Sequence, residues 1–362
     1  VEVTQGVRLV GRGNVELRCS TGNVVELAGD DAMLCNMTII QDGSSSFPPA
    51  GATRVGRGRG PRRWRTRGTG GPDRMGAVQH AVMVKAQGAE LHDVTLRSDC
   101  GSAVIICNGA HALLRSCKIA QGAVSGVFVC GKSQADLQDM QISGLRSAGV
   151  DVRGASRVKL SGGSVETCGK AGVFVRPLCY VHKNNTHLHK SQARTNTYRT
   201  LSVVCVLTDS TQVHSMGAVQ LDRVHIASCK FAGVEVSGTG RCKMHNCHVR
   251  LGSRGGLYVH GGGEAVVTST SVHTNAFSGV HVSRGGRVDL AQCDLSQGHA
   301  SGLFVEAGIA TVRDSNLRCN KSFGAELLYG ALTMNGCDAG GNGDCAVFEG
   351  EGTTLRLEDT VW

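Results

Sequence analysis

The stretch Asn275-Ala276-Phe277-Ser278-Gly279-Val280-His281-Val282 contains the phrase on which the fold turns: a small residue, an apolar residue, any residue, then a second apolar residue. The phrase opens eight times, at Ala103, Gly126, Gly149, Gly172, Gly233, Gly256, Gly279 and Gly302. Successive openings lie 23 residues apart, except that Gly172 and Gly233 are separated by 61, which is 23 plus 38. A fixed period of this size predicts a solenoid, in which each unit buries its apolar side chains only against its neighbours.

Counting outward from Gly279, apolar or small side chains recur at offsets 1, 3, 9, 11, 14 and 16, as Val280, Val282, Val288, Leu290, Cys293 and Leu295. From Gly233 the same offsets hold Val234, Val236, Cys242, Met244, Cys247 and Val249. A spacing of two within each pair marks a short strand with alternate residues facing inward. Three strands per unit, joined by Gly, Ser and Asn, predict an all-β parallel β-helix of about 13 coils of about 23 residues. No segment of the unit holds a 3.6 period over about 10 residues, which argues against helical repeats.

With its strands in place, the phrase from Asn275 to Val282 resembles the right-handed parallel β-helix family of the pectin-lyase-like superfamily, whose repeat reads roughly Asn-x-x-x-Gly-Ile-x-Val. The resemblance covers nearly the whole chain outside two long insertions, and it implies a single-stranded right-handed β-helix. Function is less constrained, because the superfamily spans polysaccharide lyases and hydrolases, phage tailspikes and protein-binding regions of F-box proteins.

The insertions carry the charge. Residues 44 to 75, within the Arg/Gly-rich insertion 43–78, hold eight Arg against one Asp, or +7. The polar insertion 178–215 contributes +3, so of the total +9 the coils keep −1 (9 − 7 − 3). Arg54 to Arg67 have the composition of a segment able to bind RNA or another polyanion. In the second insertion Cys179, His182, His187 and His189 are zinc-type ligands by residue type, but their spacing matches no standard finger. The reading therefore assigns no metal there. Another cluster, Cys242, His245, Cys247 and His248, fails for a different reason: the register turns the thiols inward and the imidazoles outward.

Sixteen cysteines suggest disulfides, yet Cys117, Cys247, Cys293 and Cys337 share one inward offset that Met140 and Thr270 occupy in other coils. They read as core-filling residues. Cys168 and Cys229 fall on adjacent coils at the same offset. The balance points to a reducing, cytoplasmic compartment, with secretion left open because Val1 already lies within a running coil. No run of 18 apolar residues suggests a membrane span, and a monomer is expected.

In enzymes of the superfamily the substrate lies along the outer face of the sheet built by the first strand of each coil. Here offset 2 presents Phe128, Asp151, Phe174, Glu235, Tyr258, His281, Phe304 and Glu326 in succession; offset 4 adds Arg153, Arg176, His260 and Glu306. If the protein is an enzyme, Asp151 and Glu235 have the separation of an inverting carboxylate pair, with Arg176 and His281 as further catalytic candidates. Phe128, Phe174, Tyr258, Phe304, Arg153 and His260 are the ligand-binding candidates. The Asn-Thr-Asp and Gly-His-Gly signatures of polygalacturonase-like hydrolases are absent, as is a stacked Asp cluster for calcium, which only a lyase reading would require. The expectation is therefore a non-catalytic scaffold gripping a protein partner on this face, with no cofactor. The alternatives are a polysaccharide lyase, hydrolase or epimerase in the same groove, or polyanion binding through the Arg-rich insertion.

Overall fold

A computed structural model describes residues 1–43, 79–122, 124–177 and 216–362. Every element among them is a β-strand, and every strand pairing is parallel. The first strands of the coils stack into one sheet of thirteen, from Glu2–Val3 to Val347–Glu349. Pairing runs at the period read from the sequence, with Val127 beside Val150 and Val150 beside Val173.

The interior is set by the alternation. Val127, Val129, Val280 and Val282 are wholly buried, and so are Leu137, Ile142 and Val249 from the other two strands of their coils. Each Val or Leu side chain removed from water contributes roughly 1.5 to 3 kcal/mol. The sum over one interior column holds the stack together. Cys117, Cys247, Cys293 and Cys337 are buried in that column, as are Met140 and Thr270. Cys168 and Cys229 remain free thiols, also buried. Each thiol donates to a backbone carbonyl, Cys168 to Glu166 at 3.6 Å and Cys229 to Ala227 at 3.5 Å, and the neighbouring Cys229 thiol together with burial pushes Cys168 upward.

The change of phase between offsets 11 and 14 has a backbone cause. One residue there in each coil takes a positive φ, including Asn36 (52°), Asp139 (52°), Asn246 (50°), Ser269 (49°) and Asp314 (48°). Asn, Asp and Ser accept the left-handed region more readily than β-branched residues do. A single such residue turns the chain so sharply that Gln134–Leu145 passes the corner as one twelve-residue strand.

At the opposite corner, the Asn of the quoted stretch supplies the missing backbone partners. Asn275 is wholly buried; its Oδ1 accepts from the Gly252 amide at 2.9 Å and its Nδ2 donates to the Val249 carbonyl at 3.4 Å. Asn320 likewise accepts from Gly298 of the preceding coil but donates within its own coil to Leu317, both at 2.8 Å. Stacked Asn side chains thus satisfy a turn that lacks ladder hydrogen bonds.

Both insertions interrupt the chain but not the stack. Val25 pairs with Val82 across the first, and Val173 pairs with Val234 across the second. The Arg-rich run 54–67 and the ligand types Cys179, His182, His187 and His189 lie outside the described residues. Among the described residues no group of three or more His, Cys, Asp or Glu is placed to hold a metal ion, and no helix is long and apolar enough to cross a membrane. Cys242 and Cys247 point inward while His245 and His248 are exposed, as the register requires.

Candidate functional site

On the outer face of the first sheet the offset-2 residues form one unbroken ladder: Phe128, Asp151, Phe174, Glu235, Tyr258, His281, Phe304 and Glu326 are paired one to the next. In-register stacking has a consequence for the aromatic members. The ring of His281 lies 4.7 Å from Tyr258 and 4.8 Å from Phe304, with interplanar angles of 26° and 25°. Ring faces are therefore covered by the neighbouring coils, and edges and polar tips point outward. The ligand-binding candidates Phe128, Phe174, Tyr258 and Phe304 are half-buried rings whose tips form the surface.

A second regularity joins the two outward columns. Offset 2 of one coil contacts offset 4 of the next, 25 residues later. Asp151 meets Arg176 at 3.2 Å, Glu235 meets His260 at 3.1 Å, the Tyr258 hydroxyl meets Ser283 Oγ at 3.2 Å, and His281 meets Glu306 at 3.1 Å. The diagonal arises because parallel strands offset long side chains by one coil plus two residues.

Asp151 departs from its expected role. It is 2 % exposed, wedged between Phe128 and Phe174, and held by Arg153 at 2.8 Å as well as by Arg176. Arg153 in turn lies over the Phe128 ring (4.6 Å) and Arg176 over the Phe174 ring (4.5 Å). Asp151 is therefore enclosed and engaged by two guanidiniums, whereas Glu235, on the second coil after it, has His260 as its ion-pair partner. Arg176 Nε is buried without a hydrogen-bond partner among the described residues. The cluster carries one net positive charge.

Three coils on, the chemistry is of another kind. Tyr258 stacks on His260 (4.3 Å) and on His281 (4.7 Å), placing a phenol between two imidazoles. Each imidazole has its own carboxylate, Glu235 for His260 and Glu306 for His281. Burial pushes the His281 imidazole below its ordinary value, against the upward pull of the Glu306 hydrogen bond. At neutral pH His281 is an uncharged base. Phe277, 40 % exposed, abuts His281 and Phe304 by its edge, and Phe231 lies beside Tyr258 beneath Arg254. These two phenylalanines precede the small residue of their coils by two positions and belong to neither outward column.

The sequence pattern described as "Right handed beta helix region" matches residues 80–214 and 202–360, most of the chain. The chain belongs to the right-handed β-helix family. Among curated proteins no sequence matches it. Similar solved structures of the family include the periplasmic alginate epimerase AlgG, 10% identical with a TM-score of 0.56 over 98% of this chain and 78% of that one. The A-module of the mannuronan C-5 epimerase AlgE4 from Azotobacter vinelandii is 11% identical with a TM-score of 0.54, covering 90% and 88%. The catalytic domain of a GH87 α-1,3-glucanase, solved with tetrasaccharides, is 8% identical with a TM-score of 0.58, covering 98% and 64%. At such identities the likeness establishes the shared β-helix fold.

Proposed function

We propose that the outer face of the first sheet binds an extended acidic polysaccharide and transfers protons to and from its uronate residues. The observation that carries this reading is the run of acid and base groups across four successive coils: Glu235 with His260, Tyr258 with Ser283, His281 with Glu306. A uronate proton next to the carboxyl group becomes removable once a cation or hydrogen bonds offset the carboxylate charge. A base must then accept that proton, and an acid must return one or protonate a leaving oxygen. The Arg153 and Arg176 pair provides positive charge on the same face, and the neutral imidazole of His281 and the phenol of Tyr258 provide the two proton-handling groups.

Hydrolysis is the weaker enzymatic reading, because Asp151 is sequestered. The β-helix neighbours that act on alginate, mannuronan or α-1,3-glucan support a polysaccharide ligand at the level of fold. They lend no support to a cytoplasmic location, and one of them is periplasmic. Nor do the cysteines report on compartment, since nearly half of them pack in the core as small hydrophobes. A protein-binding scaffold is favoured by one observation only: the ladder is already paired and stacked before any ligand arrives, as a rigid recognition surface is.

Retention on immobilised polymannuronate, polygalacturonate and a neutral glucan separates these readings. Binding to an acidic chain that weakens about tenfold or more with Arg176→Ala supports the polysaccharide reading, by loss of one charge-assisted contact. Failure to bind either acidic chain, with a single protein partner captured by the wild type and lost in Phe277→Ala, supports the scaffold.

A further inference from the structure

The face built by the second strands carries a charge pattern that the reading above does not use. Lys159, Gln220 and Lys243 form one column of paired residues, and Arg157, Ala218, Arg241, Glu264 and Arg287 form the next. Cations therefore stand on alternate coils: Arg157 and Lys159 on one, Arg241 and Lys243 two coils later, Arg287 two coils later again. All five are exposed. The coils between them present Ala218 and Gln220, then Glu264 and Val266.

Acidic residues on this face are already engaged. Glu264 pairs with Arg241 (3.0 Å), Asp222 with Arg223 (3.1 Å) and Asp289 with Arg313 (2.8 Å), while Asp136, the strand neighbour of Lys159, is hydrogen-bonded to His111 (3.3 Å). Arg157, Lys159, Lys243 and Arg287 have no ion pair among the described residues. A flat strip is left with unpaired positive charge at a repeat of two coils, roughly 9 to 10 Å.

We infer that this strip is a docking track for a linear acidic polysaccharide with an anionic group on alternate sugars. The ligand class follows from the repeat. One sugar of an extended chain is about as long as one coil rise, so charges on alternate sugars meet charges on alternate coils. The spacing explains why the intervening coils can carry Ala218, Gln220 and Val266, and a Glu264 already paired with Arg241, without weakening the track. A single-stranded nucleic acid, by contrast, favours aromatic side chains for base stacking, and this strip has none. The inference is independent of the proton-transfer reading, since the strip lies on a different sheet and shares no residue with it.

The test uses the full chain and hyaluronan, which carries one carboxylate per disaccharide, with polygalacturonate and an oligo-thymidylate of equal charge for comparison. The double variant Lys159→Glu, Lys243→Glu is set against Lys170→Glu, Lys230→Glu, an equal charge change at exposed residues of another corner. The track predicts hyaluronan binding that falls at least about tenfold in the first variant, with the log–log salt slope reduced by about two, and changes far less in the second. Equal losses in both variants, or oligo-thymidylate binding more tightly than hyaluronan, overturn it. Loss of uronate proton exchange in Tyr258→Phe with unchanged hyaluronan binding would bear on the first sheet alone.

Discussion

The imidazole of His281 lies 4.7 Å from the phenol ring of Tyr258, centroid to centroid, and its Nε2 is 3.1 Å from Glu306. A base is thus held between an aromatic neighbour that removes water and a carboxylate that fixes the ring. Removal of water dominates, and the imidazole titrates below its ordinary value.

That balance fixes the pH dependence of stability. His80, buried at the edge of the first insertion, is pushed down by burial, and so is His225. A histidine whose folded pKa lies below its unfolded value of about 6.5 binds fewer protons when folded. Its contribution is complete above that value and is lost as the pH falls through the folded pKa. Urea midpoints should therefore decline on acidification from about pH 6.5. His281→Gln should flatten part of that decline; an unchanged profile would mean that the imidazole is not desolvated.

Asp151→Asn removes the anion that two half-buried guanidiniums share. Stability should fall by about 1 to 3 kcal/mol, below the cost of breaking a fully buried pair because Arg153 and Arg176 remain partly hydrated. Glu235→Gln, which keeps an oxygen within hydrogen-bond reach of its single partner His260, should cost much less. Denaturant titration of the two variants checks the order.

Gly149→Ala tests how closely the coils approach. A methyl group there would stand 2.7 Å from the Gly172 carbonyl oxygen and 2.3 Å from a Val165 methyl. Overpacking of this kind costs about 1 to 3 kcal/mol. A thermal midpoint equal to the wild type would show that the corner yields.

Thiol reactivity should follow burial. Cys319 and Cys345 are exposed, whereas burial pushes Cys117 and Cys130 up to about 11. Alkylation at neutral pH, mapped by mass spectrometry, should label Cys319 and Cys345 before any core cysteine. Early labelling of Cys117 would contradict the packing.

Much of this architecture is legible in the sequence because one interior column must be filled in every coil. Val127, Val280 and their equivalents repeat at fixed offsets, so strand number, parallel pairing and the membership of the outer ladder can be read from spacing alone. Exposure within the ladder cannot. Asp151 appears at an outward offset, but its burial depends on Arg153 and Arg176 folding over Phe128 and Phe174, a choice of side-chain conformation. The pairs at 25-residue separation were available as a signal: offset 2 read against offset 4 of the next coil finds Glu235 with His260 and His281 with Glu306. Phe231 and Phe277 lack such a signal, because residues ahead of the small position follow no fixed pattern.

The proton-transfer account rests most directly on Tyr258. Wild-type protein incubated with polymannuronate or polygalacturonate in heavy water should place deuterium beside the uronate carboxyl group, read by nuclear magnetic resonance. Tyr258→Phe should retain the fold and slow that incorporation by about 10² to 10⁴, the range for loss of a positioned acid or base. Incorporation by Tyr258→Phe at the wild-type rate, or none by folded wild type with either polyuronate, would contradict the account.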